Sequence, residues 1–159
     1  MTFKKPKSII FLIVIVIISL IYSISAIWNY EFLSDYIILQ NFNLEYLFFL
    51  NLYLSILLGL VAVWFLFKPK KIGFWLVGFN FLMKIPLSIV LFFIVLQNSD
   101  FARSAYIASR EIRNLKINAE FNDFLFSFPG IAATLLMVLA FTSFLLFLLW
   151  RNKRYFNVV

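Results

Sequence analysis

Four long apolar runs dominate this sequence and occupy residues 8–28, 46–67, 72–96 and 131–150. Lys84 is the only charged residue within these four runs. Because an α-helix rises about 1.5 Å per residue, roughly 20 apolar residues are enough to cross a hydrocarbon core about 30 Å thick. The sequence therefore predicts one integral membrane domain, residues 1–159, that is an all-α, four-helix transmembrane bundle.

The amino-acid composition agrees with this interpretation. Hydrophobic residues make up 64% of the chain and charged residues 13%, which leaves too little polar surface to cover a water-soluble globule. The first run has one competing interpretation, a cleaved signal peptide, because it follows a basic start and ends near Ser23, Ser25 and Ala26. We expect an uncleaved span, since the run reaches spanning length and lacks a clean Ala-x-Ala cleavage site for signal peptidase.

Lysine and arginine flank the runs in three short clusters, before the first run, between the second and third, and after the fourth. The clusters are Lys4, Lys5 and Lys7, then Lys68, Lys70 and Lys71, then Arg151, Lys153 and Arg154. The positive-inside rule predicts that both termini face the cytoplasm, with outer segments at 29–45 and 97–130. We expect a multi-pass protein of a bacterial-type cytoplasmic membrane. The net charge of +7 is then mostly a topology signal, so nucleic-acid binding is not expected.

The second outer segment carries the pattern of an amphipathic helix between spans 3 and 4. Phe101, Ala105, Ala108, Ile112 and Leu115 recur at steps of three and four, which predicts one apolar face. The cations that project elsewhere are Arg103, Arg110, Arg113 and Lys116. Two interpretations stay open: the helix packs on the membrane surface or on the spans, or it forms a recognition surface for a partner or an anionic ligand.

Aromatic segments at the two outer boundaries are expected to lie at the membrane interface. In the first, residues 30–36, the acids Glu31 and Asp35 are predicted to be solvated. The second carries four phenylalanines before the fourth span, and it is too short to cross the membrane. They are Phe121, Phe124, Phe126 and Phe128.

Lys84 is the chemically distinctive residue, because a lysine at the centre of a span costs about 2.5 to 3.5 kcal/mol on the insertion scale. Asn80, Lys84 and Ser88 are spaced four apart and share one helix face, which predicts a polar site inside the bundle at mid-depth. Pro86 cannot donate to the carbonyl of Leu82, so it predicts a kink beside this site. The predicted partners of the ammonium are hydroxyls on the other spans: Ser19, Ser55, Thr142 and Ser143.

The sequence favours a non-enzymatic accessory, assembly or interaction subunit of a membrane complex. The expected partners are the lipid bilayer and either a membrane protein or further copies of this chain. An oligomeric transporter or channel subunit that uses Lys84 is the alternative. A membrane-embedded enzyme is disfavoured, because no two of the seven carboxylates have a diagnostic spacing. Without cysteine or histidine, the usual zinc, haem and iron–sulfur ligands are absent, so no catalytic residue, metal ligand or cofactor site is assigned.

Overall fold

The computed structural model describes residues 6–157, and this part of the chain is helical and contains no β-strand. Between residues 6 and 157, eight α-helices follow one another, joined by short turns, with 3-10 turns at Tyr30–Phe32 and Lys153–Phe156. The helices are α1 (Lys7–Asn29), α2 (Ser34–Asn41), α3 (Glu45–Phe67), α4 (Lys71–Leu82), α5 (Lys84–Gln97), α6 (Ser99–Ile112), α7 (Ala119–Leu125) and α8 (Phe128–Arg151).

Four helical segments are long and apolar enough to cross a membrane, as the sequence predicted. They are Lys7–Phe32, Glu45–Phe67, Lys71–Gln97 and Phe128–Arg151, and the third consists of α4 and α5. The fourth begins before its predicted start at residue 131, because Ser127 caps α8 by accepting from the Gly130 backbone N–H at 3.4 Å. Pro129 fits the first turn of that helix, where no backbone donor is needed.

The four long segments pack in a ring. α1 contacts α3 and α8, while both α4 and α5 contact α3 and α8. The largest core cluster joins Ile9, Leu12 and Val16 of α1 to Leu66 of α3 and Leu149 of α8. Close approach of α1 and α3 depends on Gly59, since a Cβ there would lie 2.8 Å from Leu20 Cγ.

Two hydrogen bonds bring the start of α1, the end of α3 and the end of α8 together. Ser8 Oγ donates to Asn152 Oδ1 at 3.0 Å, and the Tyr155 hydroxyl donates to the Leu66 carbonyl at 2.8 Å. We call this end of the molecule the basic end, because the described cations of all three predicted clusters lie in or beside these elements: Lys7, Lys68, Lys70, Lys71, Arg151, Lys153 and Arg154. Lys4 and Lys5 lie outside the described residues. That this end faces the cytoplasm stays a prediction.

Helices α2, α6 and α7 lie together at the other end of the ring, which we call the opposite end. α2 packs against α3 and α6, and α7 packs against the start of α8. The corner between α7 and α8 is tight: a Cβ on Gly130 would overlap the carbonyl oxygen of Phe124. Only glycine fits there without a shift of the backbone.

The predicted apolar face of α6 is correct only in part: Ala105 is buried and Phe101 packs against the same core cluster. The side that faces the protein carries Ala102, Ala105 and Ser109, all buried, whereas Ile112 is 54% exposed and Leu115 lies beyond the end of the helix. The physical reason is the packing of α6 against α2. Ile38 of α2 contacts this side of α6, and small side chains at steps of three and four let the two helices approach closely. Ser109 is buried because its hydroxyl donates to the Phe32 carbonyl at 2.5 Å.

The third span is interrupted at the place where the sequence predicts a kink, and the bend itself stays a prediction. The helix is interrupted at Met83, between the end of α4 at Leu82 and the start of α5 at Lys84. Pro86 explains this position, because it has no N–H with which to continue the helix ladder to Leu82. The interruption places Lys84 in the first turn of α5.

Candidate functional site

Lys84 lies near the middle of the third span. It is 13 residues after Lys71, which corresponds to about 20 Å at helical rise. Its ammonium reaches across the ring to α1, where Nζ donates to Ser19 Oγ at 2.6 Å. Ser19 is one of the four hydroxyls that the sequence predicted as partners.

The ammonium of Lys84 is only partly satisfied. It carries three N–H donors, and Ser19 is its single hydrogen-bond acceptor among residues 6–157. The Lys84 side chain also remains accessible from outside the protein. Two donors are therefore left for an acceptor that the described residues do not supply.

The other members of the predicted polar stripe differ in their surroundings. Asn80 is buried, and the Ser88 hydroxyl donates back to the Lys84 carbonyl at 2.9 Å. Pro86 does not belong to this site, because residues two apart on a helix point to nearly opposite sides. It borders a small groove of about 110 Å³ beside Leu50 and Asn51 of α3.

Three of the four cations predicted as a recognition surface are bound within the chain. Arg103 forms an ion pair with Asp123 of α7. Arg110 donates to the Lys116 carbonyl through Nε at 3.0 Å and Nη2 at 2.6 Å. Its Nη1 donates to the Tyr106 hydroxyl at 3.1 Å.

Arg113 is also occupied, since its Nε donates to the Ser109 carbonyl and its Nη2 to Ser109 Oγ, both at 2.9 Å. The Lys116 side chain is exposed and makes no hydrogen bond or ion pair with the described part of the chain. These contacts favour the first interpretation of this helix, in which α6 packs on the rest of the protein.

A cavity of about 320 Å³ lies between α5 and α8 at the opposite end, where α2, α6 and α7 surround it. We call it the Asp35 cavity. Most of its wall is apolar, and Phe92, Phe126 and Leu135 are typical of it. Its polar lining consists of Ser34, Asp35, Ser88, Tyr106 and Thr134.

The Asp35 side chain is exposed, as expected for a solvated acid, and it also borders the cavity. Asp35 borders the cavity because α2 packs against α3, α5 and α6 and turns one face inward. Ile38 and Leu39, three and four residues later, are both buried. That spacing is the sequence signal that could have placed Asp35 beside the inner face of α2.

The Asp35 carboxylate has few polar partners within the protein. Ser34 Oγ donates to Asp35 Oδ1 at a long 3.5 Å, and no cation within residues 6–157 forms an ion pair with it. Burial raises the pKa of Asp35, and the Ser34 hydrogen bond opposes that shift. The Asp35 side chain itself is exposed and lies at the edge of the cavity.

Within residues 6–157, no three carboxylates lie close enough together to hold a metal ion. Comparisons of this chain with protein-family models, with curated proteins and with solved structures found no match. Function is therefore argued from Lys84, α6 and the Asp35 cavity.

Proposed function

We propose that this chain is a non-enzymatic, four-span protein of a bacterial-type cytoplasmic membrane and serves as an accessory, assembly or interaction subunit of a membrane complex. Its basic end faces the cytoplasm in this proposal, as the positive-inside rule requires. The observation that carries the proposal is the partly satisfied ammonium of Lys84 in the middle of a span.

A charge at mid-depth in a membrane normally pairs with another group, because hydrocarbon offers it no hydrogen bonds. Ser19 accepts one hydrogen bond from Lys84, and the side chain stays accessible. A carboxylate or carbonyl on a neighbouring protein's helix would supply the missing acceptor. Lys84 would then fix both the position and the identity of that neighbour.

The packing of the third span supports the same proposal. In an 18-residue apolar stretch of this span, 11% of the residues are buried, against 39% in the corresponding stretch of the first span. No residue of α5, Lys84–Gln97, is buried. A neighbouring helix would meet the least packed span of the bundle, at the level where the ammonium is accessible.

The test is purification of the tagged native protein in mild detergent, followed by mass spectrometry of bound proteins. We expect a stoichiometric membrane partner with the wild type and its loss with Lys84→Leu. Lys71→Leu is the matched control, because it removes an exposed lysine at the basic end of the same span, and it should retain the partner. Equal capture by wild type and Lys84→Leu would remove Lys84 from the proposal.

A transporter or channel subunit remains the second candidate, and one contact favours it. Ser88 lines the Asp35 cavity and also donates to the Lys84 carbonyl, so polar groups extend from the cavity toward the middle of the third span. Purification of a homo-oligomer without a partner would favour this candidate. Flux measurements on the protein in liposomes, with Lys84→Leu as the comparison, would then test it.

A further inference from the structure

The Asp35 cavity is large enough for a small organic molecule. A cavity of about 150 Å³ with apolar walls holds one benzene molecule, and this cavity measures about 320 Å³. It therefore has room for a ligand about twice that size, and it matches the lower end of the range for ligand pockets, about 300 Å³.

Three of the four hydroxyl groups that line the cavity donate their protons within the protein, while the fourth, on Tyr106, accepts from Arg110 Nη1. Ser88 Oγ donates to the Lys84 carbonyl at 2.9 Å, and Thr134 Oγ1 donates to the Gly130 carbonyl at 3.0 Å. Ser34 Oγ donates to the Asp35 carboxylate. A carbonyl or carboxylate oxygen can only accept, so the direction of each bond is fixed. These three groups are left with lone pairs, so a ligand that contacts them must bring the donors, whereas the Tyr106 hydroxyl can still donate.

Asp35 adds a formal negative charge to this acceptor-rich lining. The lining contains no lysine or arginine. The nearest spanning cation along α5, Lys84, directs its ammonium to Ser19 instead. The exposed carboxylate lies beside a largely apolar wall, and it can hold a cation through a charge-assisted hydrogen bond.

We infer that the Asp35 cavity is a binding site for a small primary ammonium ion with an apolar body, such as an arylalkylamine. The three N–H donors of the ammonium satisfy Asp35 and the neighbouring hydroxyl oxygens, and the apolar body occupies the wall around Phe92, Phe126 and Leu135. The aromatic lining suits a cation as well, since ring faces attract positive charge. This inference does not depend on the proposed function.

The test uses tritiated 2-phenylethylamine as the probe and 2-phenylethanol as its uncharged analogue. Binding is measured by equilibrium dialysis against the full-length protein in nanodiscs, and empty nanodiscs give the background from partition into lipid. We expect the wild type to bind the amine about tenfold or more tightly than the alcohol, which is the gain typical of a charge-assisted hydrogen bond.

Two substitutions assign the preference to Asp35. Asp35→Asn keeps the size of the side chain and should abolish the preference for the amine while leaving binding of the alcohol unchanged. Asp100→Asn is the matched control, because Asp100 is exposed in the first turn of α6 and does not line the cavity. It should bind both probes like the wild type.

A third variant, Ser88→Leu, fills part of the cavity and should weaken binding of both probes. Helicity and the elution volume of each variant establish that it is folded before binding is compared. Equal wild-type affinity for the amine and the alcohol would reduce the cavity to an apolar site and overturn the inference. Absence of amine binding, or unchanged amine binding in Asp35→Asn, would also overturn it. Because the purified chain is used alone, these outcomes are separate from capture of a partner through Lys84.

Discussion

The two ends of the helical ring are built differently. At the basic end, Leu12 and Leu66 are fully buried in the largest core cluster, and hydrogen bonds tie the ends of three spans together. At the opposite end, α5 has no buried residue, and a cavity of about 320 Å³ is lined by both α5 and α8. The comparison assigns stability mainly to the basic end and ligand or partner contacts to the opposite half.

The largest expected effect contrasts two leucines. Leu12→Ala at the basic end should lower the free energy of unfolding by about 2 to 4 kcal/mol, because it leaves a void in a packed core. Leu91→Ala beside the Asp35 cavity should cost about 1 kcal/mol, since its neighbours already lack full contact on one side. Thermal unfolding in the same detergent measures both. Equal costs would break the comparison between the two ends.

A tight corner at the opposite end sharpens the comparison. Gly130→Ala should destabilise the protein by about 1 to 3 kcal/mol, because the new Cβ would overlap the Phe124 backbone and force it to move. Gly78→Ala is the matched control in α4, where a Cβ would meet Leu149 Cδ2 at an ordinary 3.5 Å. The control should be neutral or slightly stabilising, as alanine favours helix over glycine. A stable Gly130→Ala protein would show that this corner is not fixed.

Asp35 should make stability depend on pH in the unusual direction for a carboxyl group. Its pKa is raised in the folded protein by burial, so the folded state holds the proton more tightly than the unfolded state. Stability is therefore greatest below the ordinary pKa and falls as the pH rises through the raised value. Asp35→Asn should remove this loss, so its melting temperature should exceed that of the wild type at about pH 7.5 by more than at about pH 4. A variant that is relatively less stable at the higher pH would contradict the burial of this group.

The smallest expected effect concerns the ion pair between Arg103 and Asp123. Both side chains are largely exposed, at 42% and 59%, so Asp123→Asn should change the free energy of unfolding by about 0.5 kcal/mol or less. Its melting temperature in low and high salt measures the contribution. A large loss of stability would mean that this bond, and not the packing of Ala102 and Ala105, holds α6 in place.

The sequence predicted the spans well because the bilayer imposes a simple length rule on apolar runs. It also predicted the break near Pro86 and Ser19 as a partner of Lys84, since both follow from the few polar groups within spans. The buried face of α6 was only partly predicted, because the apolar pattern favoured Ile112 and Leu115, whereas the side toward α2 carries Ala102, Ala105 and Ser109. Hydrophobicity alone does not show which side of an amphipathic helix packs against its neighbour.

The Asp35 cavity was not predictable in the same way. Asp35 stands among aromatic residues at a span boundary, a pattern that is also typical of a solvated interface. Whether the acid faces water or protein depends on how α2 packs against α5 and α6. The cavity itself is space left by the packing of five helices, and no local residue pattern records it.

The central claim is that the two ends lie on opposite sides of a membrane, and single-cysteine labelling tests it most directly. The chain has no cysteine, so Lys70→Cys at the basic end and Lys116→Cys at the opposite end each introduce one thiol. A membrane-impermeant maleimide applied to intact cells should label Lys116→Cys, and it should label Lys70→Cys only after the membrane is opened. Labelling of Lys70→Cys in intact cells, with Lys116→Cys protected, would contradict the orientation. Equal labelling of both would contradict the separation of the two ends by a bilayer.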